Sequence, residues 1–378
     1  MDILNDSLQL IPKFVGYKLS RLGIVKPPMP MTLTFSVTNS CQSRCKTCNI
    51  WQIYIKNPEL KKKELKIEEI EKVFKSIGPV YFFNISGGEP FLRKDLPQIV
   101  ELACKYLKPK IIHSPTNGLL PKIIEEKMRE IMKILEKYGN THFTIKPSFD
   151  GIGKKQDIVR GIPGHFVKTL DTIERLKKVQ KDYKNLYVGL GTVISNFNLN
   201  DIKETSNYVH KLNVDTYINE IAEQRSELLT LNSPITPTGT EYKKIIRFFS
   251  NNIKTEMKKK KKKLNCVTQA FRLVYYDLVV KTLKQKKQVI PCYGGLSNAH
   301  LNAYGDVWPC CILGYRKSMG NVRDANYNFR KIWRSKKANK IRKFIKDKKC
   351  YCPLANQYYS NIYLNVRSMF KVLFHMFK

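Results

Sequence analysis

The sequence predicts an α/β fold with a parallel sheet, followed by a small cysteine-rich domain. Six strand-like segments alternate with segments of helical period across residues 31–225, and each parallel crossover needs a covering helix. Five of the ten cysteines lie beyond residue 290. A chain of 378 residues can bury a sizeable core and usually divides into two or three units.

The first predicted strand leads into three closely spaced cysteines. Residues 31–37 alternate apolar with small polar side chains, which predicts a half-buried strand. Cys41, Cys45 and Cys48, the first cysteine set, follow in a CxxxCxxC loop. Three thiolates suit an iron-sulfur cluster that keeps one iron open, whereas a structural zinc site would need a distant fourth ligand. An open iron indicates catalysis rather than electron storage.

The second predicted strand runs into a Gly-Gly-Glu-Pro sequence. Residues 81–86 are strand-like and precede Gly87, Gly88, Glu89 and Pro90. Glycine lets the backbone approach a ligand closely, and a carboxylate acceptor suits an ammonium donor. Taken alone, the same residues could form an ordinary strand-to-helix turn.

The third and fourth predicted strands also end in polar residues. Residues 110–115 lead to Asn117 in a Thr-Asn-Gly turn, a sequence that is frequent in turns of every kind. Residues 141–149 end in a Ser-Phe-Asp-Gly segment that contains Ser148 and Asp150.

The fifth and sixth predicted strands are residues 186–194 and 215–222. Arg225 follows the sixth strand and could reach a carboxylate. In parallel α/β folds, ligand chemistry gathers on the loops at the carboxyl ends of the strands. We therefore expect the polar residues that follow the six strands to share one site.

At these motifs, over roughly residues 31–225, the chain resembles the radical S-adenosylmethionine (SAM) enzymes. The resemblance implies a partial (βα)6 TIM-like barrel, a 4Fe-4S cluster on the first cysteine set, and SAM chelated at the open iron. In that family an electron from the cluster splits SAM into methionine and a 5'-deoxyadenosyl radical, which abstracts hydrogen from the substrate. An aromatic residue often precedes the third cysteine; Thr47 stands there in this chain, which leaves the adenine contact to Ile50 or Trp51. The residues that the resemblance assigns to SAM are Gly87, Gly88, Glu89, Asn117, Ser148 and Asp150.

The later cysteines lie in residues 291–355. A CxxG start at Cys292 and a run from Gly305 to Cys310 resemble the SPASM or shorter twitch extensions of radical SAM enzymes, which bind auxiliary iron-sulfur clusters. The available cysteines suffice for one such cluster. Adjacent cysteines on an extended chain point opposite ways, so Cys311 is expected to pack in the core. A zinc site is the alternative. The four ligands that we assign, the second cysteine set, are Cys292, Cys310, Cys350 and Cys352.

Residues 226–290 separate the two cysteine-bearing regions and predict a helical bridge. The bridge contains an unbroken lysine run at residues 258–263. Like charges in a row repel one another, so this run predicts a solvated loop. A tether for nucleic acid is the alternative.

Both termini are basic and amphipathic. Residues 356–378 predict a helix with a narrow basic stripe and a broad apolar face, and residues 1–30 have a similar character. Such a helix suits a membrane interface, although it is too short and too charged to span a bilayer. The alternative is that both helices dock on the barrel. On the interface interpretation, a lipid or lipid-linked substrate is expected.

The charge balance is strongly basic. Lysine and arginine number 68 against 31 acidic residues, for a net charge of +37. Such a surplus attracts polyanions, although an AT-rich genome would also produce lysine-rich usage. No signal peptide is evident, and iron-sulfur clusters survive best in a reducing compartment, where disulfides are rare. We therefore expect a cytoplasmic protein that is peripheral on the membrane.

The sequence thus predicts a radical SAM enzyme whose auxiliary cluster oxidises or helps bind the substrate. The expected partners are SAM, an unidentified substrate, an electron donor such as a ferredoxin or flavodoxin, and an anionic membrane surface. No catalytic acid or base is assigned, because His113 and His142 could equally face the barrel interior or be core histidines. The alternative function is a zinc- or iron-sulfur-containing nucleic-acid-binding protein without radical chemistry, with nucleic acid as the less expected partner.

Overall fold

The computed structural model describes residues 3–139, 141–259 and 263–377. The lysine run at residues 258–263 therefore lies partly outside the described residues. The strands of the described chain are β1 (Thr32–Thr38), β2 (Phe82–Gly87), β3 (Ile111–Thr116), β4 (His142–Pro147), β5 (Leu186–Ile194), β6 (Thr216–Ile221), β7 (Asn298–Leu301), β8 (Asp306–Trp308) and β9 (Gly320–Asn321).

Helices separate these strands and cover the sheet. The first group is α1 (Ile3–Leu22), α2 (Gln52–Lys56), α3 (Glu59–Lys62), α4 (Ile67–Ile77), α5 (Leu96–Leu102), α6 (Pro121–Tyr138), α7 (Lys154–Arg160), α8 (His165–Asp182) and α9 (Ile202–Lys211). The second group is α10 (Gly239–Lys259), α11 (Lys263–Gln285), α12 (Phe329–Trp333), α13 (Lys336–Lys346), α14 (Ala355–Leu364) and α15 (Val366–Phe377).

The strands form one sheet in the order β6-β5-β4-β3-β2-β1-β7-β8-β9. Strands β1 to β6 pair in parallel with their sequence neighbours, which confirms the predicted α/β fold. β7 pairs in parallel with the free edge of β1, and β8 and β9 continue antiparallel. The region after residue 291 is therefore hydrogen-bonded directly to the barrel strands.

The two faces of the sheet differ in polarity because side chains alternate along each strand. The face towards α4, α5 and α6 is apolar, and an edge-to-face aromatic chain joins Phe35, Phe74 and Phe83 with centroid distances of 5.9 and 5.5 Å. Each such ring contributes roughly 1.5–3 kcal/mol through burial. The opposite face is polar, and register partners on it include Thr34, Asn84, His113, Thr144 and His300.

The Gly-Gly-Glu turn after β2 packs directly on the start of the cysteine loop. The Gly88 amide donates to the carbonyl of Thr38, and the Glu89 amide donates to the carbonyl of Ser40, both at 2.8 Å. A Cβ added at Gly87 would lie 2.2 Å from the Thr38 carbonyl oxygen, and one added at Gly88 would lie 2.3 Å from that of Ser40. These glycines are required because one backbone closely approaches another.

Helices α10, α11, α14 and α15 form a second core beside the barrel, with Tyr242, Tyr275 and Tyr276 fully buried in it. α1 docks through Tyr17, whose hydroxyl donates to the Met29 carbonyl at 2.8 Å. α1 and α14 also meet where the Phe14 and Tyr363 rings lie 4.8 Å apart. Among the described residues, no helix has the length and apolar character needed to cross a membrane.

Replacing Gly88 by alanine is expected to destabilise the fold by at least about 2 kcal/mol, because the new methyl group would overlap the Ser40 carbonyl. The matched control is Gly191→Ala on β5, where an added Cβ has no heavy atom within 4 Å. Urea unfolding of the reduced, cluster-free chain, followed by circular dichroism, measures both variants. Equal midpoints for the two variants would show that the close approach is not needed.

Candidate active site

The loop that carries the first cysteine set is held by the end of α7. The amides of Arg44 and Lys46 donate to the carbonyls of Arg160 and Val159, at 3.0 and 2.9 Å. The Ser43 hydroxyl also donates to the Arg160 carbonyl, at 3.1 Å. The cysteine loop is therefore fixed from two sides, by the glycine turn after β2 and by α7.

The three cysteines of this loop line one cavity of about 170 Å³ at the carboxyl ends of the strands. All three are free thiols. Thr47 and Ile50 line the same cavity, which keeps Ile50 available for the predicted adenine contact. The cavity is also lined by Gly87, Gly88, Asn117, Ser148, Glu223 and Arg225.

The cavity suits an iron-sulfur cluster with one open position. Burial, followed by the nearby Glu89 carboxylate, raises the pKa of Cys41 to about 12, and burial also raises the pKa of Cys48. Buried thiolates need a positive partner, and the iron of a cluster supplies that charge. No fourth cysteine lines the described part of this cavity, which fits a cluster with three protein ligands.

Glu89 lies behind the cavity wall, and its carboxylate is fully buried. The carboxylate accepts hydrogen bonds from the amides of Phe91 and Asn117 and from the Thr116 hydroxyl, at 3.1, 2.6 and 3.0 Å. Burial raises its pKa to about 7, although these hydrogen bonds favour the ionised form. Glu89 thus joins the loop after β2 to the loop after β3, and its predicted contact with the SAM ammonium group stays a prediction.

Asn117 and Ser148 reach the cavity from the next two strands. The Asn117 side-chain amide lies 3.8 Å from the Cys41 sulfur and donates to the Gln42 side chain at 3.2 Å. Ser148 is held by its own amide, which donates to the Thr116 carbonyl at 2.9 Å. Both residues therefore stand where a ligand bound beside the cysteines would meet them.

Asp150 forms a buried ion pair beneath the cavity. Its carboxylate lies 2.6 Å from the Arg160 guanidinium, and the two side chains are 1% and 10% exposed. Burial raises the pKa of Asp150, although Arg160 opposes that shift. Arg160 also lies 3.6 Å from the Cys45 sulfur. The pair therefore places a fixed positive charge beside one of the predicted cluster ligands.

Two charged residues after β6, Glu223 and Arg225, line the cavity. Burial raises the pKa of Glu223 to about 8, and neither of its carboxylate oxygens accepts a hydrogen bond within the described residues. The nearest cation, Arg225, lies 3.7 Å away. Sequence reasoning identified Arg225 as a possible carboxylate ligand, but nothing in the local pattern distinguished Glu223 from an exposed loop residue. The sequence pattern likewise assigned no role to Arg160.

The second cysteine set also converges. Cys292, Cys310, Cys350 and Cys352 line one cavity together with Gln288 and Tyr358. The Gln288 side chain donates to the Cys350 carbonyl at 2.8 Å. Burial raises the pKa of each of these four thiols, so thiolates here would need a positively charged partner such as the iron of a cluster.

Cys311 lies apart from this set. Its sulfur lies 3.4 Å from an Arg225 nitrogen on the barrel side, whereas the neighbouring Cys310 lines the auxiliary cavity. Cys311 is buried, at 9% exposure, as the sequence predicted. Its surroundings, however, are charged rather than apolar.

Comparison with known proteins identifies both cysteine regions. Residues 35–209 match the radical SAM superfamily, and residues 292–353 match the SPASM iron-sulfur cluster-binding domain. The AdoMet-dependent heme synthase of Methanosarcina barkeri is 26% identical over 321 residues, which are 80% of this chain and 82% of that protein. The antilisterial bacteriocin subtilosin biosynthesis protein AlbA of Bacillus subtilis is 22% identical over 358 residues, which are 92% of this chain and 70% of AlbA.

Solved structures share the fold at low sequence identity. Streptococcus suis SuiB bound to S-adenosylmethionine has a TM-score of 0.59 at 16% identity, over 91% of this chain and 74% of SuiB. Native anSMEcpe with bound AdoMet and the Cp18Cys peptide has a TM-score of 0.55 at 17% identity, over 92% of this chain and 97% of that structure.

The fold, the two converging cysteine sets and these matches define an enzyme that binds SAM at an iron-sulfur cluster. The chain belongs to the radical SAM superfamily and carries a SPASM domain at its C-terminal side. Its cofactors are accordingly a 4Fe-4S cluster, SAM and additional iron-sulfur clusters in the SPASM domain. The individual ligands and SAM-binding residues named above stay predictions.

Replacing Arg160 by methionine is expected to cost roughly 3–5 kcal/mol, because it leaves the Asp150 carboxylate buried without its partner. The double variant Asp150→Asn/Arg160→Met should recover much of that loss. Arg129→Met, which removes a partly exposed pair with Glu125, should cost at most about 1 kcal/mol. Denaturant unfolding of the cluster-free chain measures all three, and a double variant no more stable than Arg160→Met would contradict the buried-pair account.

Proposed function

We propose that this enzyme cleaves SAM at a cluster held by the first cysteine set and abstracts hydrogen from a substrate inside the barrel. A bound cluster supplies the electron that cleaves SAM, and the second set holds an auxiliary cluster that takes an electron from the substrate or helps bind it. The protein's own residues position the cysteine loop, exclude water and set the local charge.

The observation that carries this proposal is the position of Arg225 between the two cysteine sets. Arg225 lines the cavity of the first set and also lines a second cavity of about 50 Å³ that contains Cys310 and Cys311. Residues of the polar barrel face, including Asn84 and His300, line that second cavity. A substrate in this interior would face SAM on one side and the auxiliary site on the other.

The polarity of the interior bears on the substrate class. The His113 ring nitrogen Nδ1 lies 2.5 Å from the Asn84 side-chain oxygen, and burial lowers the pKa of His113 well below its usual value. Such a lining suits polar groups, so the reacting part of the substrate is polar. A lipid-linked substrate satisfies this condition if its head group reacts in the barrel. A peptide is the second candidate, because SuiB and anSMEcpe have been solved with bound peptides.

A membrane surface as partner is supported by an exposed apolar stripe on α15. Phe370, Leu373, Phe374 and Phe377 are between 43% and 86% exposed, whereas Val372 on another face of the helix is buried. These four residues project within about 100° of one another on a helix. Arg367 and Lys371 lie along one side of this stripe and are exposed. Apolar residues flanked by cations are the pattern of a helix that lies in an anionic lipid interface.

α1 adds a second exposed apolar stripe. Ile11, Val15 and Leu22 are between 49% and 65% exposed, and Lys18 lies among them on the same face. α1 contacts α14 just before the start of α15, so the two helices that carry the stripes lie near one another. A lipid-linked substrate would then meet the enzyme at the membrane.

An acidic electron carrier such as a ferredoxin or flavodoxin is supported by a basic groove beside the auxiliary site. Cys292 lines this groove, a cavity of about 670 Å³. The cationic residues around it include Arg21, Lys26, Arg334, Lys343 and Lys346, against the single acidic lining residue Asp347. Complementary charge steers the encounter of redox partners.

Separate removal of the two cysteine sets tests the reaction. A Cys41/Cys45/Cys48→Ala variant is expected to form no 5'-deoxyadenosine from SAM under reduction, yet to retain the iron of the auxiliary site. A variant with Cys292, Cys350 and Cys352 replaced by alanine is expected to retain 5'-deoxyadenosine formation and to lose the auxiliary iron. Iron analysis after anaerobic reconstitution and chromatography of the products measure both results. Equal loss of SAM cleavage in the two variants would contradict the assignment of separate roles.

Membrane binding is tested by flotation with vesicles of phosphatidylcholine containing phosphatidylserine. Phe370→Asp/Phe374→Asp should lower the bound fraction more than about tenfold, because each phenyl group contributes roughly 1.5–3 kcal/mol on burial. The control Ile158→Asp/Val167→Asp changes two residues of similar exposure on α7 and α8 and should float like the unmodified chain. If both double variants float equally, α15 is not the docking surface.

A further inference from the structure

A third group of metal-binding side chains lies between the two cysteine sets. The ligand atoms of Glu227, His300 and Cys311 all lie within 4.8 Å of one another. The three residues are 6%, 3% and 9% exposed. Neither cysteine set includes any of them, so the proposed radical chemistry leaves this group without a role.

The three side chains come from separate parts of the fold. Glu227 follows β6, His300 lies on β7, and Cys311 follows β8. The His300 ring is held against the Trp308 ring, with centroids 5.0 Å apart. β7 pairs with β1, so the same strand pairing that attaches the SPASM region to the barrel also brings these donors together.

The donor set suits zinc. One nitrogen, one carboxylate oxygen and one sulfur are all ordinary zinc ligands. The His300 nitrogen Nε2 and the nearest Glu227 oxygen are 3.5 Å apart. Two ligands of one tetrahedral zinc ion, bound at about 2.0 Å each, are separated by roughly 3.3 Å. The Cys311 sulfur would have to move by on the order of 1 Å to bind the same ion.

The neighbouring groups can support the ligands. The Ser36 hydroxyl donates to Glu227 at 3.3 Å, and it would give up its 2.8 Å contact with His300 Nε2 when that nitrogen binds the metal. Arg225 lies 3.4 Å from the Cys311 sulfur and 3.8 Å from Glu227, so it can donate to a metal-bound thiolate. Hydrogen bonds of this kind orient metal ligands and are as much a part of a metal site as the ligands themselves. The cation Arg225 is flanked by the carboxylates of Glu223 and Glu227, which offset its repulsion of a second positive charge.

We propose that Glu227, His300 and Cys311 form a mononuclear zinc site whose fourth coordination position opens into the barrel interior. All three residues line the cavity of about 50 Å³ that also contains Asn84 and Ser86 of the polar barrel face. Three protein ligands and an open position are the arrangement of zinc sites that bind a reactant rather than only supporting the fold. An anionic oxygen or sulfur of the substrate would occupy that position; this last step rests on the proposed function.

The test measures zinc in the reconstituted enzyme, without SAM or substrate, so its outcome is independent of the proposed reaction. The enzyme with both clusters loaded is incubated with zinc, desalted and analysed for zinc, iron and sulfide. The unmodified chain is expected to keep about one zinc ion per chain, at unchanged iron. Cys311→Ser and His300→Ala should each lose the zinc and retain the iron of the unmodified chain.

Cys266→Ser, which removes a partly buried thiol on α11, is the matched control and should keep the zinc. Glu227→Gln preserves the shape of the side chain and should also lose zinc, which separates loss of a ligand from misfolding. Cobalt in place of zinc gives a second readout, because its electron paramagnetic resonance signal should change in Cys311→Ser. Zinc retention by both Cys311→Ser and His300→Ala, or no zinc in the unmodified chain, would overturn the proposal.

Discussion

The contact between two backbone segments determines the geometry of the whole site. The turn after β2 hydrogen-bonds to the carbonyls of Thr38 and Ser40, just before the first cysteine. Side chains at Gly87 or Gly88 would prevent this approach, so the two glycines set the distance between the cysteine loop and the neighbouring strand. The hydrogen bonds from Arg44 and Lys46 to the end of α7 then fix the rest of the cysteine loop.

Buried guanidinium groups are the second constraint, and each stands beside a cysteine sulfur. Arg160 lies near Cys45, and Arg225 lies near Cys311. Burial alone would lower the pKa of both arginines, but the surrounding carboxylates and thiols raise it, so the two charges persist inside the protein. A buried cation costs free energy unless it is paired, and here each one is paired with a carboxylate that would itself be costly alone. Each arginine and its carboxylate partner therefore act on the site as a pair, not as separate charges.

Local sequence patterns predicted the strands of the barrel and both cysteine sets. Contacts between residues far apart in sequence could not be predicted from them. Alternation within residues 31–37 located β1, because side-chain period is a property of the strand itself. Both cysteine sets could be found from spacing and resemblance. The burial of Glu89 behind the cavity could not, because it depends on the Thr116 and Asn117 groups that happen to face it. The same is true of the convergence of Glu227 on His300, which are far apart in sequence.

The pairing of β7 with β1 explains how two cysteine sets can serve one substrate. A SPASM region attached only through residues 226–290 would be free to change its distance from the barrel, as flexibly linked domains do. Four register pairs between β1 and β7 remove that freedom. His300 then lies opposite Thr34 in the register, two residues before Ser36 on the same face of β1, and the Ser36 hydroxyl reaches its ring. The interior between the cysteine sets is therefore as rigid as the sheet itself, and a reactant held there would keep a fixed distance to both.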